Sequence, residues 1–309
     1  QMPELFGTNF TPPDIRGKVT GAAKYAEDFR MDGLLHCRLL TSPMPHARVL
    51  KIDLIEALSM AGVVDVLTAD EVPEQPGAAT NILTNEPHFI GEPILAVAAV
   101  DETTAQNAIE AIKLDLEPLP FCVDPLDSLR PGGPNAYLEG NTVVPREGVQ
   151  ELKWSQEDFE EAEEGQLPMG APGAEWSYGD LKAGFSEAIL TLDETFVTAS
   201  HSHHSMEPRT TLAYWENGKC HVRGSTQSQS FVVPGLARYI GVEPENVVYV
   251  AEYCGGGFGS KGSAYPTMAI PAHMSKKTGR PVLMRISRAE EYFLGSARPG
   301  FQGRIKMGF

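Results

Sequence analysis

The sequence predicts an α+β protein with two organised regions separated by an acidic stretch rich in proline and glycine. Three observations predict it. From Ile15 to about Pro125, short apolar strands alternate with helical stretches. The composition then shifts to Pro, Gly and Glu, with little periodic apolar content, as far as about Tyr178. Beyond it, strand and helix signals resume around a cluster of glycines. The expected segments are a first α/β domain at 1–130, an exposed linker at 131–177 and a second organised region at 178–309. A chain of 309 residues, 42% apolar, is long enough for about two domains.

In order, "AAKYAEDF", "GLLHCRLLTSP" and "ARVLKIDLIEALSMAGVVDVLTADEVP" open the first region with strands and short helices. "EPILAVAAVD" reads as a buried strand. "DETTAQNAIEAIKLDLEPLP" begins with an Asp-Glu-Thr cap and places Ala105, Ala108, Ile109 and Ile112 at helical spacing. It then turns into a strand at Ile112 to Leu116. "RPGGPNAY" and "EDFEEAEEGQLPMGAPGAEW" carry the linker composition. In the second region, Gly179-Asp180 followed by "LKAGFSEA" predicts a short capped helix, and "ILTLDETFVTASHS" a strand exposed on one face. "TTLAYWENGKCHVRGSTQ" predicts two strands joined at Asn217-Gly218, the pair that most readily takes a type I′ turn. "SQSFVVPGLARYIG" predicts a helix ended by Gly241, and "VEPENVVYVAEY" a strand. "YPTMAIPAHMSKKTG" predicts a helix with Lys276 and Lys277 in its last turn and Gly279 as its stop. "RPVLMRIS" is a further strand.

Acidic residues outnumber basic ones 41 to 25, a net charge of -16, so a polyanion such as nucleic acid meets an average repulsion. The four cysteines, Cys37, Cys122, Cys220 and Cys254, are far apart and form no C-x-x-C pair, so any iron–sulfur cluster is expected on another chain. No apolar run approaches the roughly 20 residues that span a bilayer, and no charged-then-apolar leader is present. A chain that starts at Gln1 is expected to have lost its initiator Met. The expected location is the cytoplasm, with the periplasm as the alternative.

The run "CGGGFGSKG", Cys254 to Gly262, follows the strand "NVVYV". Four glycines in five positions let backbone approach a ligand, and successive N–H groups at a turn form a nest for an oxyanion. A Walker A loop is excluded, because Ser260 precedes Lys261 and Gly262 follows it. Gly257, Gly259 and Gly262 also spell a G-x-G-x-x-G, with Glu290 and Glu291 as late ribose partners. Those acids lie nearly 30 residues on, where about 20 is usual, and Pro266 and Pro271 interrupt the following helix. The residues alone leave the dinucleotide reading open. The histidines of "HSHHSMEPR" do not read as a metal cluster, since on a strand His201 and His203 share a face and His204 points away.

Taken together, "STQ" at Ser225 to Gln227, "GGGFGSK", "GRPVLMRISRAEE" and "GSARPGFQGRIKMGF" resemble the molybdopterin-binding large subunit of the xanthine dehydrogenase and aldehyde oxidase family. Upstream, "KVTGAAKYAEDFRMDGLLHCRLLTSPMPHARVLKIDLIEALSMAGVVDVLTADEVP" and "FIGEPILAVAAVDETTAQNAIEAI" resemble its hammerhead-like α/β domain. The resemblance spares only the stretch from about Pro145 to Glu175. It implies that 178–309 is the first, incomplete part of a molybdenum cofactor-binding domain. It also implies molybdenum held by a pterin dithiolene, in a dinucleotide form, with no protein side chain as direct ligand.

By the same resemblance, Gln227 matches a glutamine whose neutral amide faces an oxygen ligand of the metal. Gly256, Gly257, Phe258 and Gly259 match the loop against the cofactor, with the Phe258 ring as a substrate wall. Arg298 matches an arginine that stabilises negative charge on substrate or transition state. Glu207 matches a strand-end residue, structural or close to the cofactor. The implied reaction oxidises an aldehyde or an N-heteroaromatic small molecule with water as oxygen donor, and electrons leave through 2Fe-2S clusters and FAD on partner chains. Gly262 stands where purine-oxidising members usually carry a glutamate, which argues against purine oxidation. The family's general-base glutamate lies near the C-terminal end of a polypeptide more than twice as long. It is therefore expected on the C-terminal half of the molybdenum subunit, as a separate chain or as the rest of this one. The other readings are a nicotinamide-dependent dehydrogenase using the G-x-G-x-x-G, and a non-catalytic assembly module.

Overall fold

The apolar runs and capped helices read above organise into mixed sheets and helices of the expected α+β class. The structure is a computed structural model, and it describes residues 6–75, 80–144, 147–168 and 174–309. Helix α1 (Ile15–Thr20) ends at Gly21, which takes the left-handed conformation that favours glycine. Strands β1 (Leu35–Thr41) and β2 (Ala47–Asp53), helix α2 (Ile55–Ser59) and strand β3 (Val63–Thr68) follow. Strand β4 (Pro93–Ala99) is buried along its whole length, as its unbroken apolar sequence requires. Helix α3 (Glu102–Ala111) starts at Asp101, whose carboxylate accepts the Thr104 N–H, and buries Ala105, Ala108 and Ile109. Strand β5 (Lys113–Pro118) then pairs with β2.

Helix α4 (Pro125–Leu129) precedes the stretch expected as a linker, which holds the short strands β6 (Thr142–Val144) and β7 (Gly148–Gln150) and helix α5 (Gln156–Glu161). Its described residues are held by local bonds: the Asn141 amide donates to Leu152 O at 2.6 Å and accepts the Leu152 N–H at 2.6 Å. The run "MGAPG" at 169–173, part of that expectation, lies outside the described residues. Helix α6 (Leu181–Glu187) is capped by Asp180, as read from the sequence. Strand β8 (Thr191–Thr198) was expected to bury one face; none of its residues is buried, and it forms a two-stranded ribbon. Strand β9 (His201–Ser202) follows.

Strands β10 (Thr210–Glu216) and β11 (Lys219–Gly224) form the expected hairpin, with φ of 51° at Asn217 and 77° at Gly218, as a type I′ turn demands. Helix α7 (Gln229–Ile240) runs to a left-handed Gly241 and accommodates Pro234. Strand β12 (Val247–Val250), helix α8 (Ala269–Thr278) with Gly279 as C-cap, strand β13 (Val282–Arg285) and helix α9 (Arg288–Leu294) complete this region. Strands β14 (Ala297–Arg298) and β15 (Phe301–Gly308) pair with β9 and β8 respectively.

Two compact units interleave along the chain. The first comprises residues 6–75, 80–117 and 204–294, and the second comprises 118–203 and 295–309. The compact units therefore do not follow the three consecutive segments expected from composition. In the first unit one sheet runs β12-β11-β10-β13-β1-β4-β3, joining strands from both ends of the sequence. The junction is the parallel pair β1 and β13, with Leu35, His36 and Cys37 opposite Val282, Leu283 and Met284. The two faces of β4 divide its residues. Ala96 and Ala98 join a core with Leu35, Leu236, Met268 and Met274, while Leu95 and Val97 join a second core with Ala57, Ala108 and Ile109. Burying each such Leu or Met contributes about 1.5–3 kcal/mol.

Candidate functional site

The glycine run leaves the end of β12 and crosses residues 255–262 before the chain reaches a 3₁₀ turn at Pro266 and helix α8. Three residues of it have positive φ: Gly256 at 105°, Phe258 at 53° and Gly259 at 102°. Such angles are accessible to glycine and strained for phenylalanine. Gly257 is required by space instead, since a Cβ there would lie 2.2 Å from Gln227 Oε1. At Gly255 a Cβ would fall 2.5 Å from the Glu207 Cβ. The loop is thus pressed against residues 207 and 225–227 so closely that side chains are excluded.

Gln227 is the point of contact. Its Oε1 accepts the Gly259 N–H at 3.0 Å, and its own N–H donates to Lys261 O at 3.1 Å. A backbone N–H can only donate, which assigns the oxygen of the amide to the loop and leaves the NH₂ donors for a guest. Gln227, Phe258 and Gly259 are exposed, whereas Gly257 beside them is buried. The Phe258 ring, 65% exposed, turns back over Gly256 and forms an apolar rim.

Below the loop lie two buried ion pairs that sequence reading did not foresee. Lys261 is fully buried; its Nζ donates to Glu207 O and Ser225 Oγ, both at 2.5 Å, and lies 3.7 Å from Glu207 Oε2. Glu207 Oε2 in turn accepts from Ser225 Oγ at 2.8 Å and from the Gly255 N–H at 2.7 Å. Loss of water around Lys261 pulls its ammonium below the usual lysine range, against the attraction of Glu207. Arg209, equally buried, pairs with Glu291 and donates to Ser260 O, and its guanidinium lies 4.8 Å from the centre of the Tyr265 ring. Thr226 Oγ1 donates to Lys261 O at 2.7 Å. Removing one member of such a pair leaves an uncompensated charge and costs about 3–5 kcal/mol. The loop backbone is therefore fixed by charge from beneath while its upper side stays open. Arg in "MEPR" and Lys in "GSK" were visible as residue types, but nothing local marks a cation as buried.

The literal dinucleotide motif does not find its structural context. Gly262 is outside the positive-φ region, and a Cβ there would meet nothing closer than 3.5 Å. No helix begins at it, and β13, the next strand, is separated from β12 in the sheet by β11 and β10. Glu291 is committed to Arg209, and Glu290 accepts the Ser287 N–H at 2.5 Å, so neither serves as a ribose partner.

Arg298 belongs to the second unit. It sits on β14 opposite His201 of β9, and its carbonyl accepts from Ser200 Oγ at 2.9 Å. His203 Nδ1 is 2.8 Å from Ser296 O, and His204, with φ of 52°, packs edge-on to Tyr292. Only His201 of the three lies on the strand, and among the described residues they are not gathered into a group at metal-ligand spacing.

The family described as molybdopterin cofactor-binding domain matches residues 161–309, and that described as aldehyde oxidase and xanthine dehydrogenase, a/b hammerhead domain, matches residues 20–120. A protein from Bacillus subtilis, a probable xanthine dehydrogenase component, is 28% identical over 96% of this chain and 37% of its own length. An aldehyde oxidoreductase from Megalodesulfovibrio gigas is 28% identical over 96% of this chain and 32% of its own length. The solved structure of the reconstituted CO dehydrogenase from Oligotropha carboxidovorans superposes with a TM-score of 0.77 at 21% identity, covering 98% of this chain and 37% of that one. The chain thus spans about a third of the length of these proteins.

Proposed function

Because this chain belongs to the xanthine dehydrogenase and aldehyde oxidase family of molybdenum-dependent oxidoreductases, we propose that it is the cofactor-cradling part of a catalytic subunit that oxidises an aldehyde or an N-heteroaromatic carbon. The residues fit a molybdopterin group on the ground of the loop itself: its backbone packs so tightly on Glu207 and Gln227 that a Cβ at Gly255 or Gly257 would overlap them, and one neutral amide is engaged there through its oxygen. The dinucleotide form is proposed from the family resemblance alone. When bound, that group supplies oxygen transfer from water and takes up the two electrons of the oxidation.

The chain's own residues bind and orient. The Gln227 NH₂ donates to an oxygen of the anionic centre without adding charge to it. Backbone at Gly256, Gly257 and Gly259 approaches where side chains would block, and Phe258 walls the substrate side and excludes water. Arg298 stabilises negative charge that develops on the substrate. Proton abstraction belongs to a glutamate on the C-terminal half of the subunit. Electrons pass to 2Fe-2S and FAD on partner subunits, for which this chain, with four dispersed cysteines, offers no local ligand set. No described helix is long and apolar enough to cross a membrane, and the proposed location is the cytoplasm.

The observation that carries this reading is the engagement of Gln227 Oε1 by Gly259. In the assembled enzyme, Gln227→Ala should retain the fold and lower kcat/KM by about 10–100-fold, the loss of one or two hydrogen bonds to a charged group. Turnover and molybdenum content both equal to wild type would overturn it, as would a native complex without molybdenum or pterin.

A further inference from the structure

In the first unit, the segment 84–92 runs beside the start of β2. The Ala47 N–H donates to Pro87 O at 3.1 Å and the Val49 N–H to Asn85 O at 2.8 Å. Side chains alternate along extended backbone, so His46 and Arg48 on one segment meet Glu86 and His88 on the other. His46 is fully buried and Glu86 and His88 are half-buried.

Glu86 Oε1 lies between the two imidazoles, 3.5 Å from His46 Nε2 and 4.0 Å from His88 Nε2. The three ligand atoms lie within 4.8 Å of one another. These separations are longer than a good hydrogen bond, which closes to about 2.7–3.2 Å. They approach the spacing of two ligands on one tetrahedral cation: bonds of about 2.0–2.1 Å place neighbouring donors about 3.3 Å apart. The other carboxylate oxygen is already held, since Arg48 Nε and Nη2 donate to Glu86 Oε2 at 3.1 and 3.0 Å. Arg48 thereby turns a single oxygen toward the imidazoles, the role an outer-shell partner plays at metal sites. On the far side of the His88 ring, Glu92 Oε2 is 3.9 Å from Nδ1 and accepts the His88 N–H at 2.6 Å, fixing the segment behind the ligand.

We propose that His46 Nε2, Glu86 Oε1 and His88 Nε2 form a site for a divalent transition-metal ion of the zinc type, distinct from the glycine loop. Two imidazoles and one carboxylate are a donor set that suits zinc or cobalt(II), with water as a fourth ligand. Bound there, the ion ties the start of β2 to the connection that feeds the buried strand β4.

The test uses the purified full complex, treated with a chelator and then titrated with cobalt(II) chloride. Absorption of tetrahedral cobalt and metal analysis of each chain are the readouts. Wild type should take up about one cobalt per chain with the tetrahedral spectrum, and bound zinc should abolish that spectrum. His88→Gln, on a half-buried side chain, should weaken binding by at least about tenfold. Glu86→Gln should do the same, and His201→Gln, on exposed β9, should leave the titration unchanged. Thermal melting of each variant without metal separates lost binding from lost folding. A wild-type protein that takes up no cobalt, or a folded His88→Gln protein that titrates like wild type, would overturn the site.

Discussion

Gly257 and Gly262 lie five positions apart in one loop and are glycines for unequal reasons. The first faces an oxygen that a Cβ would strike at 2.2 Å, and the second has space around it. Gly257→Ala should therefore displace Gln227 or the loop and lower both molybdenum content and turnover of the assembled enzyme by about tenfold or more. Gly262→Ala should leave both within about twofold of wild type, because no positive φ and no close neighbour oppose it. A dinucleotide-binding loop would make both substitutions damaging, since its first glycine makes the tight turn and its third secures helix–strand packing. Glycine density was legible in the sequence; which glycine is irreplaceable was not, because it depends on the oxygen of a residue thirty positions upstream.

Among the elements, β8 and β15 form a ribbon with little buried surface, and it relies on polar contacts across the pair. Asp193 on β8 accepts from the Arg304 guanidinium on β15, and that hydrogen bond, followed by the attraction of its charge, holds the Asp193 carboxyl below its ordinary value of 3.8. A depressed carboxyl stabilises the folded ribbon fully above the ordinary value, and the contribution disappears as pH falls through the lowered one. Amide exchange in β8 and β15, corrected for intrinsic rates, should accelerate on acidification below about 3.8 in wild type. In Asp193→Asn that acid-dependent step should be absent; an identical acid midpoint in the variant would contradict the assignment. The strand itself was readable from alternation in "ILTLDETFVTASHS", but its exposure on both faces was not. Exposure depends on what packs over a strand, and a period of two cannot report that.

At the scale of the whole molecule, the first unit takes its sheet from residues far apart in sequence. A fragment ending at residue 130 would retain β1, β3 and β4 but lose β13, exposing the edge of β1 where Leu35, His36 and Cys37 pair with Val282, Leu283 and Met284. It would also uncover the side of Leu35 and Leu39 that shares a core with Met274 and Val282. Such a fragment should show no cooperative thermal transition by circular dichroism, whereas the full chain should melt its first unit as one. A fragment with a sharp, reversible melt would refute this unity.

The sequence by itself determined what depends on near neighbours. Helix caps at Asp101 and Asp180, the turn at Asn217-Gly218, the stops at Gly241 and Gly279 and the buried run of β4 all follow from interactions within a few residues or from a repeat of two or 3.6. It also carried the loop and the glutamine that faces it, through motifs specific enough to indicate the family. The tertiary structure decided the pairing of β1 with β13, the burial of Arg209 and Lys261 with their acids, the seat of Gln227 against Gly259 and the gathering of His46, Glu86 and His88. Each of these joins residues tens to hundreds of positions apart. Local propensity is blind at that range, and packing and charge pairing in the folded core select among the alternatives.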